Sequence, residues 1–340
     1  MTGIPFVTLA DPQYGQVVQL SPLVQRVVAE NPSKFTYHGT GTYLVGRSDA
    51  GADIAVIDPG PALDAHRTAL LAAIGNRRVI AVLVTHCHAD HSPLAPWLAD
   101  RAGAPTVGFG RHPRLDDPDS DDDDDPGPDD DPGPDDDPGP DDGPGTDGDG
   151  EGAGAAIEES TDYDFDPLVR VTDGGVAAVA GAFTLRAVHT PGHTSNHMCY
   201  ALEQERSLFT GDHIMGWSTT VIGPPDGDMR AYFESLRKVQ ARADEVLWPT
   251  HGAPVGHPRP FLEAFLAHRL QREAQVLAAV RSGQTSIAAM VEVLYADVRM
   301  ELHKPAGRSV LAHLVKLIDD GLVAVDGDVG PTLKAIYRAV

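Results

Sequence analysis

Apolar and polar positions alternate over the first third of the chain in short segments of two kinds. Residues 42–45 and 54–57 are β-type runs, the second ending in the turn Asp58-Pro59-Gly60. Between them and the next run, Leu63, Leu70, Ala73 and Ile74 recur at near-helical spacing, closing at Gly75. Residues 79–85 form an unbroken aliphatic and β-branched run, which predicts a strand covered on both faces. Strand-like runs return at 183–188, 198–202, 207–210 and 246–248, with a helix predicted over 228–241 from the spacing of Met229, Tyr232, Phe233 and Leu236. From about His257 the pattern turns helical. Phe261, Leu262, Phe265, Leu266, Val276, Leu277 and Val280 mark a long helix ending at Gly283, and a second begins at a Thr285 or Ser286 cap. A third, carrying Val310, Leu311, Leu314, Val315 and Ile318, stops at Gly321, and two alternating runs around a Gly/Pro turn close the chain. Helices followed by a β-hairpin predict a small winged-helix domain. The expected division is an α/β domain over 1–257 and a helical, winged-helix domain over 258–340.

Charge changes this picture in one place. The 340 residues carry 26 Lys and Arg against 50 Asp and Glu, a formal net charge of -24. Of those acids 24 lie between residues 116 and 169, which leaves 26 acids against 26 bases in the rest. Residues 116–150 contain only Asp, Pro, Gly, one Ser and one Thr, with Asp-Asp-Asp-Pro-Gly-Pro repeated. Such a stretch has no apolar surface to bury, so a disordered acidic insert is expected over 116–160. A globally basic nucleic-acid binder is excluded, but the body is formally neutral. Only two cysteines, Cys87 and Cys199, are present, and the N-terminus lacks the basic start and apolar run of a secretory signal. No apolar run approaches the roughly 20 residues that span a bilayer. A cytoplasmic setting without membrane partners is the expectation; nothing in the pattern sets an oligomeric state.

The chemistry gathers at strand ends. Thr85-His86-Cys87-His88-Ala89-Asp90-His91 follows directly on the buried run at 79–84, where a rigid scaffold can aim a loop. His86 and His88, two residues apart, can converge on one ion, while Asp90 and His91 can meet a second. His193 in Thr190-Pro191-Gly192-His193, Asp212 in Thr210-Gly211-Asp212-His213 and His251 in Pro249-Thr250-His251-Gly252 each follow another strand-like run. Any one alone would be an ordinary loop residue; four such loops argue for a constructed site. Cys87 is expected to pack away from the site and Cys199 to lie in the core. His197 and His213 are candidate donors to the ligands or else ordinary turn and edge residues, and the loop at 215–225 is expected to line a cleft, with Trp217 either facing it or packing as an apolar side chain.

These motifs resemble those of the metallo-β-lactamase superfamily, in order: Asp58, the His-x-His-x-Asp-His run, His193, Asp212 and His251. The resemblance covers residues 36–256 apart from the acidic insert. It implies an αββα sandwich followed by the small winged-helix domain, with a dinuclear site on one edge, usually zinc, iron and manganese being alternatives. It further implies one metal on His86, His88 and His193, a second on Asp90, His91 and His251, and Asp212 between them. Asp58 would orient a ligand imidazole or a neighbouring loop. Zinc β-lactamases place a cysteine where this chain has Asp212, and flavo-diiron proteins a glutamate where it has His88, so neither group fits. With its C-terminal extension the chain is similar to the β-lactamase-like protein 2 family, some members of which cleave single-stranded RNA.

The expected activity is hydrolysis of a small thioester, ester or lactone, with two ions holding a shared hydroxide and Asp90 steadying its proton. A single-stranded-RNA endonuclease is the alternative. Residues 268–340 carry 9 bases and 8 acids, a weak footprint for phosphate binding, which favours the small molecule. A mononuclear iron dioxygenase shares the first motif, and a non-catalytic interaction module would ordinarily have lost ligands.

Overall fold

The computed structural model describes residues 3–119, 160–296, 303–327 and 330–340. Two β-sheets stack face to face. The first comprises β1 (Val18–Gln19), β2 (Val24–Val28), β3 (Gly41–Gly46), β4 (Asp53–Ile57), β5 (Arg78–Leu83), β6 (Thr106–Gly108) and β7 (Val169–Arg170), side by side in that order. The second comprises β8 (Val176–Val179), β9 (Thr184–His189), β10 (Met198–Leu202), β11 (Ser207–Gly211), β12 (Val246–Pro249) and β13 (Val255–Gly256), also in sequence order across the sheet. Their inner faces share one core, in which Tyr43, Ala55, Ile57 and Leu83 meet Leu185, Met198, Tyr200 and Phe209. Alternate residues of the same strands face outward, as the two-residue period requires. Leu44, Val56 and Val82 pack under α1 (Asp64–Ile74) and α2 (Ala95–Ala102). Cys199, Ala201, Leu208 and Leu247 pack under α3 (Met229–Gln240) and the first half of α4 (Pro258–Arg281). The result is the four-layer αββα order. The unbroken apolar run at 79–85 is accounted for, because β5 sends Ala81 and Leu83 to the inner core and Val79 and Val82 to the outer one.

Helix α4 serves two cores. Phe261, Leu262 and Phe265 join the layer over the second sheet, each worth about 1.5–3 kcal/mol of burial. About three turns further on, Val276, Ala279 and Val280 belong to a separate core with α5 (Ile287–Leu294), α6 (His303–Asp319) and the hairpin of β14 (Val323–Val325) and β15 (Tyr337–Ala339). Ser286 caps α5 by accepting the Ala289 amide, as its sequence position predicts. No helix among the described residues is long and apolar enough to cross a membrane.

The expectation of a disordered insert over 116–160 falls largely outside the described residues, but its described ends are held. Asp117 pairs with Arg308 of α6 at 2.9 Å, and both carboxylate oxygens of Asp119 accept the Leu333 amide at 2.9 Å. At the far end the Ser160 carbonyl accepts the Ala89 amide, and Thr161 bridges to His88. Asp117 and Asp119 are therefore docked, because the helical domain offers them a guanidinium and a backbone amide.

Candidate metal centre

The strand ends β4, β5, β9, β11 and β12 deliver Asp58, the 85–91 segment, His193, Asp212 and His251 to one edge of the sandwich. All seven side chains expected to bind metal meet there. Ligand-type atoms of His86, His88 and His193 lie within 4.8 Å of one another, as do those of His86, His91 and Asp212 and those of Asp90, His91 and His251. Asp212 faces both sides: Oδ1 lies 3.6 Å from His91 Nε2 and 3.4 Å from His251 Nε2, while Oδ2 lies 3.9 Å from His193 Nε2.

Backbone geometry makes this convergence affordable. Gly211 has φ 50°, and a Cβ there would come 2.7 Å from His197 Nε2 and 2.9 Å from the Thr85 side chain. Only glycine lets β11 pass that close to the 85–91 loop. Gly192, at φ +135°, presses on α3 so closely that a Cβ would lie 2.4 Å from the Tyr232 Cα.

Three of the imidazoles are aimed by their other nitrogen. His91 Nδ1 donates to Asp58 Oδ2 (2.9 Å), His193 Nδ1 to the Val221 carbonyl (2.7 Å) and His251 Nδ1 to the Gly39 carbonyl (3.2 Å), leaving Nε2 of each for the centre. Asp58 does more than hold His91. Its Oδ1 accepts the Thr85 amide at 2.8 Å, and Oδ2 also accepts the Thr85 hydroxyl at 2.8 Å and the Thr250 hydroxyl at 3.1 Å. One buried carboxylate thus ties the loop of His86 to the loop of His251. Thr40 donates its hydroxyl to Asp90 Oδ2 at 2.8 Å.

Electrostatics divide the cluster. Burial, together with the crowd of neighbouring imidazoles, holds His86 well below its usual range, and burial and His193 push His88 down to about 3. His193 is lowered by burial as well. These three rings are kept neutral with lone pairs available. Burial also acts against a charged His91 and His251, but the carboxylates of Asp90 and Asp212 overcome it, lifting His91 well above 6.5 and His251 to about 10. Conversely, burial opposes the ionised carboxyls, yet His91 and His251 hold Asp90 and Asp212 below the usual carboxylate range.

The donor set fits divalent metal. His91 Nε2 and Asp212 Oδ1 are buried with no hydrogen-bond partner, and His86 Nε2, His88 Nδ1 and His193 Nε2 crowd together at 2.9–3.2 Å. Buried nitrogens and oxygens left unpaired at such separations are explained by an ion between them.

His197 does reach a candidate ligand, but as an acceptor rather than a donor. Its Nε2 accepts the Asp212 amide (3.2 Å), so Nδ1 carries the proton and donates to the Thr190 hydroxyl (2.9 Å). His213 contributes through its backbone, where its carbonyl accepts the Tyr232 hydroxyl at 2.8 Å. Cys87 points away and accepts from Asn196 Nδ2 at 3.0 Å; Cys199 lies in β10 in the core. Trp217 stacks on Tyr37 with ring centroids 4.8 Å apart. Sequence reasoning passed over Thr40, Gly39 and Val221, which act through loop carbonyls and a hydroxyl that carry no motif.

Comparison with known proteins agrees with this geometry. Residues 39–251 match the family model of the metallo-β-lactamase superfamily, and residues 286–331 match the β-lactamase-associated winged helix domain. An atrochrysone carboxyl ACP thioesterase from Paecilomyces divaricatus is 30% identical over 92% of this chain and 85% of its own. A lactamase-like protein from an Aspergillus species is 28% identical over 93% of this chain and 86% of its own. Among solved structures, a β-lactamase domain protein from Burkholderia ambifaria superposes with a TM-score of 0.70 at 21% identity, covering 97% of this chain and 95% of the other. The chain belongs to the metallo-β-lactamase superfamily, as a hydrolase whose catalytic fold is followed by the associated winged helix domain.

Proposed function

We propose that this hydrolase cleaves thioesters in which an acyl group is carried on a pantetheine-type arm, as on an acyl carrier protein. The observation that carries the reading is the convergence of seven His and Asp side chains at one sheet edge, five of them buried and His88 and His193 partly so, with Asp212 facing both halves of the cluster. The relatives named as acyl-carrier-protein thioesterases, alike over both domains, supply the substrate class.

In this reading His86, His88 and His193 hold one divalent ion and Asp90, His91 and His251 a second, with Asp212 between them and zinc the metal. When bound, such ions supply Lewis acidity toward the acyl oxygen and lower the pKa of a coordinated water. The chain's own residues do the rest. Thr40 fixes Asp90 at Oδ2, and the carboxylate steadies the proton of the water that attacks the acyl carbon, the proton then passing to solvent. The carbon–sulfur bond then breaks and a thiolate leaves, with the acid as the other product. A thiolate is a far better leaving group than an alkoxide, so it departs without needing its own proton donor. Asp58 keeps His91 and the loops of His86 and His251 in register throughout.

The charge pattern favours this reading over RNA cleavage. In the helical domain Arg308 is paired with Asp117, Lys316 with Glu273 and Asp320, and Arg338 with Asp326. Bases already neutralised within the chain release no counterions from phosphate. The deciding experiment is thiol release from acyl-pantetheine thioesters by zinc-loaded protein, run beside a labelled single-stranded RNA. Thiol release that vanishes in Asp212→Ala supports the proposal. RNA cleavage without thiol release replaces it.

A further inference from the structure

We infer that helix α4 is a working part of the metal centre, with Arg269 as the positioning residue that sets the loop carrying its ligands. The helix lies between the two family-matched segments, 39–251 and 286–331, and belongs to neither. Arg269 sits on it almost wholly buried, 3% exposed, far from any expectation drawn from the sequence.

Two routes run from this guanidinium to the centre. Arg269 Nη2 donates to the Thr220 carbonyl. The Thr220 hydroxyl donates to the Asp212 carbonyl at 2.8 Å, with the His213 carbonyl at 3.1 Å, so it fixes the backbone of the residue that faces both halves of the cluster. Its neighbour Val221 offers the carbonyl that aims His193. The second route passes through packing. The Arg269 guanidinium lies over the Tyr232 ring at 5.2 Å, and the Tyr232 hydroxyl donates to the His213 carbonyl. A second helical-domain cation works on the same loop, Arg308 donating to the Pro224 carbonyl at 3.0 Å.

The physical logic is that of any ligand held through its neighbours. A loop with its amides and carbonyls free would let Asp212 and His193 drift, and each metal–ligand bond would then bear the entropy of ordering them. Burying an arginine whose Nε has no partner is costly, and a leucine would pack the same space without that cost. A charged group kept there is accounted for by the carbonyl it holds. On this account α4, together with α6 of the winged helix region, acts as a brace for the hydrolase. The inference concerns metal binding and holds whatever substrate the centre takes.

The test uses full-length protein and reads metal affinity by competition with a chromogenic zinc chelator. A second readout is amide hydrogen exchange over residues 212–223 in the metal-free protein. Arg269→Met is expected to bind zinc about tenfold more weakly and to exchange faster in that segment. Thr220→Val, which keeps the shape and removes the hydroxyl, is expected to shift both in the same direction. Arg272→Ala serves as the comparison, because Arg272 ties α4 to the Leu294 carbonyl and touches nothing in the loop; it should lower thermal stability and leave zinc affinity unchanged. Should Arg269→Met fail to fold, Thr220→Val decides. Parent-like zinc affinity in Thr220→Val and in any folded Arg269→Met overturns the inference. So does an Arg272→Ala protein that loses zinc as readily as Arg269→Met.

Discussion

Asp58 and His91 meet at 2.9 Å with neither side chain exposed at all. The carboxylate fixes which imidazole nitrogen faces the centre and, through Thr85 and Thr250, which way two neighbouring loops run. In Asp58→Asn one oxygen becomes a donor facing the His91 proton and two hydroxyls. Zinc affinity is expected to drop about 10–100-fold and stability by about 1–3 kcal/mol, measured by chelator competition and denaturant unfolding of the metal-free protein. An Asn variant binding zinc like the parent would show that His91 does not need this partner.

Asp212→Ala removes the carboxylate between the two groups of histidines. Elemental analysis should find less zinc per chain, and turnover of an acyl thioester should fall by about three orders of magnitude or more. Circular dichroism should remain native, since the Asp212 backbone contacts to His197 and Thr220 do not involve its side chain.

Stability should depend on pH through a histidine outside the centre. His66 is buried against Thr42, and burial lowers its pKa from 6.5 to about 4. The unfolded chain takes up a proton at this ring near pH 6.5, whereas the folded one resists until about pH 4. Its contribution is therefore complete above pH 6.5 and is lost as pH falls toward 4. The loss between pH 7 and pH 5 should be about 2 kcal/mol. Comparing His66→Gln with the parent across that interval isolates it, and identical slopes in the two proteins would contradict the assignment.

Asp119 lies at the edge of a stretch that reads as featureless, yet it accepts the Leu333 amide with both oxygens. Asp119→Ala should cost about 1–2 kcal/mol of stability while leaving zinc content unchanged. Thermal unfolding beside elemental analysis is sufficient to check this.

The strands and the loops bearing the centre were legible because each writes a local signal, an apolar run followed within a few residues by His or Asp. Elements without such a run were not. Strand β2 reads Val-Gln-Arg-Val-Val, and its buried Gln25 and Arg26 break the apolar pattern; Arg26 is there because its Nη1 reaches the Gly252 carbonyl beside His251. Strand β6 is three residues long, too short for periodicity to register. The acceptor role of His197 depends on which nitrogen the Thr190 hydroxyl engages, a fact of three dimensions. Arg269 and Thr220 are 49 positions apart, and nothing near either announces the other.

Because one helix carries Phe265 into the layer over the second sheet and Val280 into the core of the helical domain, each part of the chain lends the other a buried face. Melting one strips a face from the other, so the two should unfold as a single cooperative unit, with one heat-capacity peak and coincident transitions by different probes. Lineages that keep the hydrolase must keep the helix that closes it, or find another way to cover Tyr232 and Phe233.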